Sequence, residues 1–301
     1  MECSAGEHIP VLSVTLAEQI ILPQDAAMVD ATVGYGGHSF LFGRFLGPKG
    51  IIVGLDVDKK SIQSAKSKLE TLNCNVILVH SNFSEIGSRL GEQGIEKVDF
   101  VLADLGICSG QLSDAEMGLS FQTNMPLDMR FDKRLKTTAA DIVNTSDEKT
   151  LADLIFNFGQ ERASRRIARF IVKHRQGQKI STTSQLSSIV CKALGQGAKN
   201  RRSRIHPATR TFQALRIAVN HELEALEKLL ASVPGLLKKN GRVAIISFHS
   251  LEDKLVKQNF KENAANGIYR IVTKKPLTAS RAEIADNPRA RSAKLRIAEK
   301  Q

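Results

Sequence analysis

Met28-Val-Asp30-Ala-Thr-Val-Gly34-Tyr-Gly36-Gly37-His38-Ser39, followed after an apolar-rich stretch by Gly50-Ile-Ile-Val-Gly-Leu-Asp56, is the stretch on which the fold turns. The first segment reads as a short buried strand running into a glycine-rich turn, the second as a strand ending on an acid. Glycines at such a turn let backbone approach a ligand where a Cβ would clash, between a parallel strand and the helix that follows. An acid about 20 residues further on, at the tip of the next strand, can accept both hydroxyls of a ribose. The layout suits a nucleoside-bearing cofactor, although an ordinary loop turn would account for the glycines taken alone.

The neighbouring periodicities extend this unit. Val11 to Leu22 reads as a helix ending at Pro23, His38 to Leu46 as a second, and Lys59 to Leu72 as an amphipathic third. Strands are expected at Ala27–Asp30, Ile51–Asp56, Val76–Val79 and Val98–Asp104, with a helix over Phe83–Leu90. Strands alternating with helices imply a parallel sheet covered on both faces, with ligands at the carboxyl ends of the strands. Asp30, Asp56 and Asp104 all stand at such ends. The alternation stops from Gln111 to Arg204, where helical stretches such as Leu151–Phe158 and Arg162–Arg175 appear without a convincing strand. It resumes with a long helix from Ala208 to about Ala231, a strand over Arg242–Ser247, a helix over Ser250–Phe260, and short strands near Tyr269–Thr273 and Ala293–Ile297. The fold class is therefore α/β, with an α-helical insertion between the fourth and fifth strands of one Rossmann-like sheet. The expected divisions are residues 1–112 and 206–301 for the sheet domain and 113–205 for the insertion.

Charge is unevenly spread along the 301 residues, whose formal net charge is +12. From Glu161 to Arg216 there are fourteen Lys/Arg against one acid, and from Arg270 to Arg296 eight against two, which leaves −7 for the remainder. A solvated helical face normally mixes signs, so single-sign clusters point to nucleic acid or another polyanion. No apolar run approaches the roughly 18 to 20 residues that cross a bilayer, and the first residues have neither the basic flank nor the apolar block of a signal peptide. A cytoplasmic protein with no membrane partner is expected. Cys3, Cys74, Cys108 and Cys191 are far apart and form no C-x-x-C pair, so neither a disulfide framework nor a metal site is expected.

Other segments bear chemistry-capable residues that ordinary local structure would also explain. Phe83, after the third strand, is placed to lie against an adenine or simply to pack at a helix start. Asp104 heads the loop Leu-Gly106-Ile-Cys108-Ser-Gly110-Gln111 and serves either the pocket or a turn. Thr209, Gln213, Arg216 and Asn220 share a helical stripe beside the apolar one formed by Phe212, Leu215, Val219, Leu223 and Leu226; polar groups so near a core need each other or a ligand. In Ser247-Phe-His249-Ser250-Leu-Glu-Asp253, Ser250 with Asp253 has the spacing of an N-cap and its reciprocal partner, while His249 stands at another strand's carboxyl end.

Taken in order, His8-Ile-Pro-Val, Gly36-Gly37-His38-Ser, Asp104-Leu-Gly with Gln111-Leu, Pro126-Leu-Asp-Met-Arg130, His206-Pro-Ala-Thr-Arg-Thr-Phe-Gln-Ala-Leu-Arg216, Ser247-Phe-His-Ser-Leu-Glu-Asp253 and Asn287-Pro-Arg-Ala-Arg-Ser292 resemble the RsmH (MraW) family end to end. The resemblance implies a class I S-adenosylmethionine-dependent methyltransferase fold with a helical insertion, acting on the exocyclic N4 of a cytidine in the decoding region of 16S rRNA within the small ribosomal subunit. It also implies that S-adenosyl-L-methionine is held by Gly36, Gly37, His38, Asp56, Phe83, Asp104 and Gln111. Departures are Cys108-Ser109 where the family usually has Ser-Ser, Ser113 for Asp, Met117-Gly-Leu-Ser-Phe121 for Arg-Gly-Phe-Ser-Phe, and Phe158-Gly-Gln-Glu161 for Tyr-Gly-Glu-Glu. They bear on the substrate loop rather than on the reaction.

A sulfonium methyl is already activated, so the chemistry needs alignment and exclusion of water and no metal. The cytosine amino lone pair is delocalised, and an acceptor bonded to that amino group would bias it towards attack; Asp104 is the residue expected to act there. A nicotinamide oxidoreductase would use the same turn but leave the basic insertion without a purpose. A non-catalytic RNA-binding assembly factor would account for the charge, and a cytosine-C5 methyltransferase would attack through Cys108.

Overall fold

The computed structural model describes residues 10–107, 109–114, 116–121, 123–195 and 206–301. Cys3, His8, Cys108 and the basic residues Lys199, Arg201, Arg202 and Arg204 lie outside them. The chain divides into two units, one made of residues up to Gly106 and from Leu223 onward, the other of Ile107–Glu222.

In the first unit the elements run α1 (Ser13–Gln19), β1 (Ala27–Asp30), α2 (Gly37–Gly43), β2 (Ile51–Asp56), α3 (Lys59–Leu69), β3 (Asn75–His80), α4 (Ile86–Glu92) and β4 (Val98–Asp104). The second unit holds α5 (Ser109–Ser113), α6 (Ala139–Thr145), α7 (Glu148–Gly159), α8 (Ser164–Arg175), α9 (Thr183–Ala193) and α10 (Thr209–Asn220). The chain then continues through α11 (Glu222–Leu236), β5 (Leu237–Ser247), α12 (Ser250–Ala265), β6 (Tyr269–Ile271), α13 (Arg281–Asp286) and β7 (Lys294–Lys300).

Seven strands form one sheet in the order β3-β2-β1-β4-β5-β7-β6. The first five are parallel, as alternation with helices requires, and β1 lies between β2 and β4, bringing the tips of three strands together. Only β7 departs from the parallel expectation, β6 running in the same direction as the first five. The segment 272–293 returns to the end of the sheet it left, so β7 runs antiparallel to both β5 and β6.

Strand alternation distributes the core between two faces. Val29, Val53, Leu55, Val101, Ala103, Val243 and Ile245 pack against Ile86 and Leu90 of α4, Leu226 to Val233 of α11, and Val256 and Phe260 of α12. Met28, Ile52, Phe100, Leu102, Ala244 and Ile246 face the other way, onto Leu12, Leu16, Phe42 and Leu46. These runs are apolar throughout because both faces are covered.

The second unit has its own core, in which Leu151, Ile155, Ile167, Ile171, Leu186, Val190, Phe212 and Leu215 meet. Its helices begin where side chains satisfy free amides: a capping box joins Thr138 and Asp141 at α6, another joins Thr182 and Gln185 at α9, and Asp147 caps α7. Gly159 lets α7 and α10 approach, since a Cβ there would collide with the Arg210 carbonyl. The single long helix expected from Ala208 is broken at His221, whose left-handed φ of 51° closes α10. The break shifts the division of the chain. α10 belongs with the helical unit, because Phe212, Leu215 and Val219 fill that core while Leu226 fills the sheet's, so the units divide at Gly106 and Glu222 rather than at 112 and 205.

Candidate functional site

The carboxyl edge of the sheet gathers the glycine turn and three acids. Val29 and Asp30 of β1 are buried, and the chain leaving them stays tied to its neighbours: the Ala31 amide donates to the Leu102 carbonyl, and the Val33 amide to that of Leu55, each at 2.8 Å. Gly34 and Gly36 take positive φ values of 50° and 76°, a conformation that side chains with a Cβ disfavour. A Cβ built on Gly34 would meet nothing nearer than the Thr32 carbonyl at 3.9 Å, so that side of the turn is open, whereas Gly36 is backed by Leu69 at 3.3 Å. The Gly37 Cβ position is filled by Pro10, 2.6 Å away. The result is a rigid backbone cradle with one open side.

Asp56 is tied into this cradle. Its Oδ2 accepts from the Gly34 amide at 2.9 Å and its Oδ1 from the Asp58 amide at 2.8 Å. Burial pushes its carboxyl up to about 6, against the pull of those two amides and with help from the nearby Asp58 and Asp30 carboxylates. Each oxygen keeps a lone pair for a hydroxyl donor. On the adjacent strand the Ser81 amide donates to the Asp56 carbonyl, so the turn carrying Phe83 begins beside the same acid. Phe83 is half-buried against the sheet's core.

Asp104 is positioned by three contacts. Its amide donates to Thr32 Oγ1 at 2.7 Å, its Oδ1 accepts from the Gly106 amide at 3.1 Å, and its Oδ2 lies 3.5 Å from His38 Nε2. Gly106 leaves room here, since a Cβ would stand 2.9 Å from the Phe248 ring and 3.1 Å from Asp104 Oδ1, and one of the two would have to shift. Asp30 sits beneath them, wholly buried, with Oδ1 accepting from the Thr32 amide and Oδ2 from the Ser39 hydroxyl. Burial raises its carboxyl despite the opposing influence of His38 and Ser39.

Gly36, Gly37, His38, Asp56, Phe83 and Asp104 thus occupy one edge of one unit, while Gln111 is buried on α5 of the other. Backbone open on one side, a largely enclosed strand-end carboxylate and an aromatic ring on the turn after the next strand fit a nucleoside-bearing group. Sequence reasoning missed Thr32, Ser39 and Phe248. Only the first two carry a signal, as hydroxyls flanking the strand-end acid.

The structure changes two further expectations. His249, not Ser250, caps α12: its ring accepts from the Glu252 amide at 3.4 Å, and Glu252 Oε2 takes the Phe248 and His249 amides. Asp253 instead bonds Arg296 at 2.7 Å and Lys294 at 3.2 Å, tying α12 to β7. On α10 the polar stripe is occupied structurally. Gln213 donates to the Phe158 carbonyl, Arg216 bonds Glu222 through two nitrogens at 2.7 Å each, and Asn220 bridges the Met129 carbonyl and Phe131 amide.

In Pro126–Arg130 the Arg130 guanidinium grips Asp128 at 2.7 and 2.9 Å. Burial acts to raise the Asp128 carboxyl, but the bonds from Arg130 and Lys133 prevail and hold it below the usual range. The second unit also exposes a cationic face. Arg165, Arg166, Arg169 and Lys173 of α8 all point to solvent because Ile167, Ala168 and Ile171 take the buried side. Phe170, 41% exposed, lies among them.

The sequence profile of the MraW methylase family matches residues 5–301. A ribosomal RNA small subunit methyltransferase H from Acidobacterium capsulatum is 47% identical over 300 residues, covering 97% of this chain and 98% of that protein. Proteins of the same name from Koribacter versatilis and Clostridioides difficile are 44% and 41% identical, again over 97% of this chain and over 93% and 98% of their own lengths.

Proposed function

The chain belongs to the MraW methylase family, and on that premise we propose that it transfers a methyl group from S-adenosylmethionine to the exocyclic N4 of a cytidine in 16S rRNA. The observation that carries the reading is the meeting of the open glycine cradle with Asp56 and Asp104 at one sheet edge. When bound, S-adenosylmethionine supplies an electrophilic methyl that needs no further activation.

The residues then divide the work. Asp56 takes the ribose hydroxyls, Phe83 packs on the adenine, and the backbone at Gly36, Gly37 and His38 accommodates the remainder. Asp104 accepts a hydrogen bond from the target amino group, which directs the nitrogen lone pair towards the methyl and takes up the proton released. The α8 face binds phosphates, because clustered cations gain affinity by releasing counterions. Phe170 offers a surface on which an unpaired base can stack. The partner is the small ribosomal subunit, and the site of action is the cytoplasm. Among the described residues no helix is long and apolar enough to cross a membrane.

Methylation of small subunits taken from cells lacking the enzyme, followed by mass spectrometry of the nucleosides, tests this. N4-methylcytidine is expected, and its absence or a C5-methylcytidine product would overturn the assignment. Asp104→Ala is expected to stay folded and lose methyl transfer.

A further inference from the structure

His38 is 6% exposed, and neither ring nitrogen has a hydrogen-bond partner among the described residues. Buried polar atoms are rarely left so, because each forfeits its bond to water, and an orphan of this kind calls for a role. The ring is aimed at one group. Its Nε2 lies 3.5 Å from Asp104 Oδ2, just beyond a formed bond, and Asp104 Oδ1 is already engaged by the Gly106 amide. The free oxygen of the acid therefore faces the imidazole. Behind it, Asp30 is fixed by the Thr32 amide and Ser39 Oγ, and its carboxyl is influenced by both His38 and Asp104. Thr32 joins the two acids, giving its amide to Asp30 and accepting the Asp104 amide at its hydroxyl.

We infer that His38 is a positioning residue for the transfer itself: its imidazole orients Asp104 and receives from it the proton that the methylated nitrogen gives up. The inference rests on the N4 reaction proposed above. There the N4 lone pair forms the new N–C bond as the C–S bond breaks with its electrons on sulfur, which leaves N4 with one proton in excess. That proton passes to Asp104 Oδ2 and then to His38 Nε2, and Asp104 returns to its carboxylate. The imidazolium is compensated by the Asp104 carboxylate 3.5 Å away, with Asp30 within electrostatic reach, and loses its proton to solvent after the product departs. The arrangement explains why a histidine side chain is buried at a turn whose neighbours are glycines. Its backbone can serve the cofactor while its ring serves the acid.

Two measurements test the inference. In protein labelled with ¹⁵N-histidine, the His38 ring signals, identified by their loss in His38→Gln, shift when Asp104 is replaced by Asn; unchanged signals would refute the coupling whatever the reaction is. In single-turnover methylation of small subunits, His38→Ala and His38→Gln both lose about 100-fold or more in rate, the scale of a missing proton acceptor. Their KM for the subunit and their calorimetric affinity for S-adenosylhomocysteine stay within about threefold of wild type, which separates this role from cofactor binding. Wild-type rate in the glutamine variant, which can still hold Asp104 but cannot take a proton, would overturn the inference. A loss confined to S-adenosylhomocysteine affinity would overturn it as well. If wild-type enzyme methylates no cytidine N4, the assigned reaction fails separately, and the spectral coupling still reports on the pair.

Discussion

Lowering the pH from 8 to 5 should weaken binding of the methyl donor through one residue, Asp56. Its carboxyl is pushed up to about 6 by burial, and both its oxygens already accept a backbone amide, Gly34 at 2.9 Å and Asp58 at 2.8 Å. Ribose hydroxyls need the ionised form. At pH 5 only about one-tenth of the free protein presents it, so the apparent Kd rises about tenfold, or about 1.4 kcal/mol, relative to neutral pH. Binding at pH 5 also expels about 0.9 of a proton, falling to about 0.1 at pH 7. Calorimetric titration with S-adenosylhomocysteine in two buffers of different ionisation enthalpy measures both quantities. Asp56→Asn should raise Kd by about 10- to 100-fold, since bonds to a charged acceptor contribute about 1.5 to 3 kcal/mol each, and it should abolish the pH dependence. A Kd constant from pH 5 to 8, or an asparagine variant binding as wild type does, would refute the reasoning. The same shift has a consequence for stability. Because the folded value lies above the ordinary 3.8, the native state holds more protons than the unfolded one between 3.8 and about 6. The contribution is therefore present in full below 3.8 and lost as pH rises through about 6, by up to about 3 kcal/mol.

Gly106→Ala forces a Cβ to within 2.9 Å of the Phe248 ring and 3.1 Å of Asp104 Oδ1; it should cost about 1 to 3 kcal/mol in denaturant unfolding and reduce turnover, and Phe248→Leu in the same chain should restore part of both. Asp253→Ala strands Arg296, whose side chain is 8% exposed, so a loss of about 3 to 5 kcal/mol is expected; an unchanged unfolding midpoint would show that the pair does not tie α12 to β7. Replacing Arg165, Arg166 and Arg169 together by Ser should lower rRNA affinity and make the plot of log K against log salt shallower by about 2 to 3, with S-adenosylhomocysteine affinity unchanged. An unaltered slope would place the phosphate contacts elsewhere.

Much of the site was legible because glycine and acid positions follow from local rules. A strand, a glycine turn and a second strand ending on Asp56 specify a backbone cradle beside a strand-end carboxylate whatever surrounds them, since these depend on backbone conformation and strand ends. Asp104 was visible on the same grounds. The antiparallel β7 was not, because a short apolar run carries no sign of its direction. Nor was the break at His221: the apolar stripe from Phe212 to Leu226 keeps its helical spacing across a residue that switches hand and divides that stripe between two cores. The cap of α12 falls one residue earlier than its spacing suggests, because Ser250 and His249 both have partners at the right distance along the chain, and only the exit from β5 chooses between them.

The sequence by itself determined the class of fold, the glycine turn beside the strand-end acids and the basic character of the insertion, all of which depend on residue type and local spacing. Tertiary structure decided which side chains meet. Thr32 reaches Asp104 across 72 positions, Phe248 closes over Gly106, and His38 faces Asp104 because β1 lies beside β4 in the sheet. Strand order is set by burying both faces of the whole sheet, a global requirement that no window of sequence contains, and the pairing of His38 with Asp104 is inherited from it.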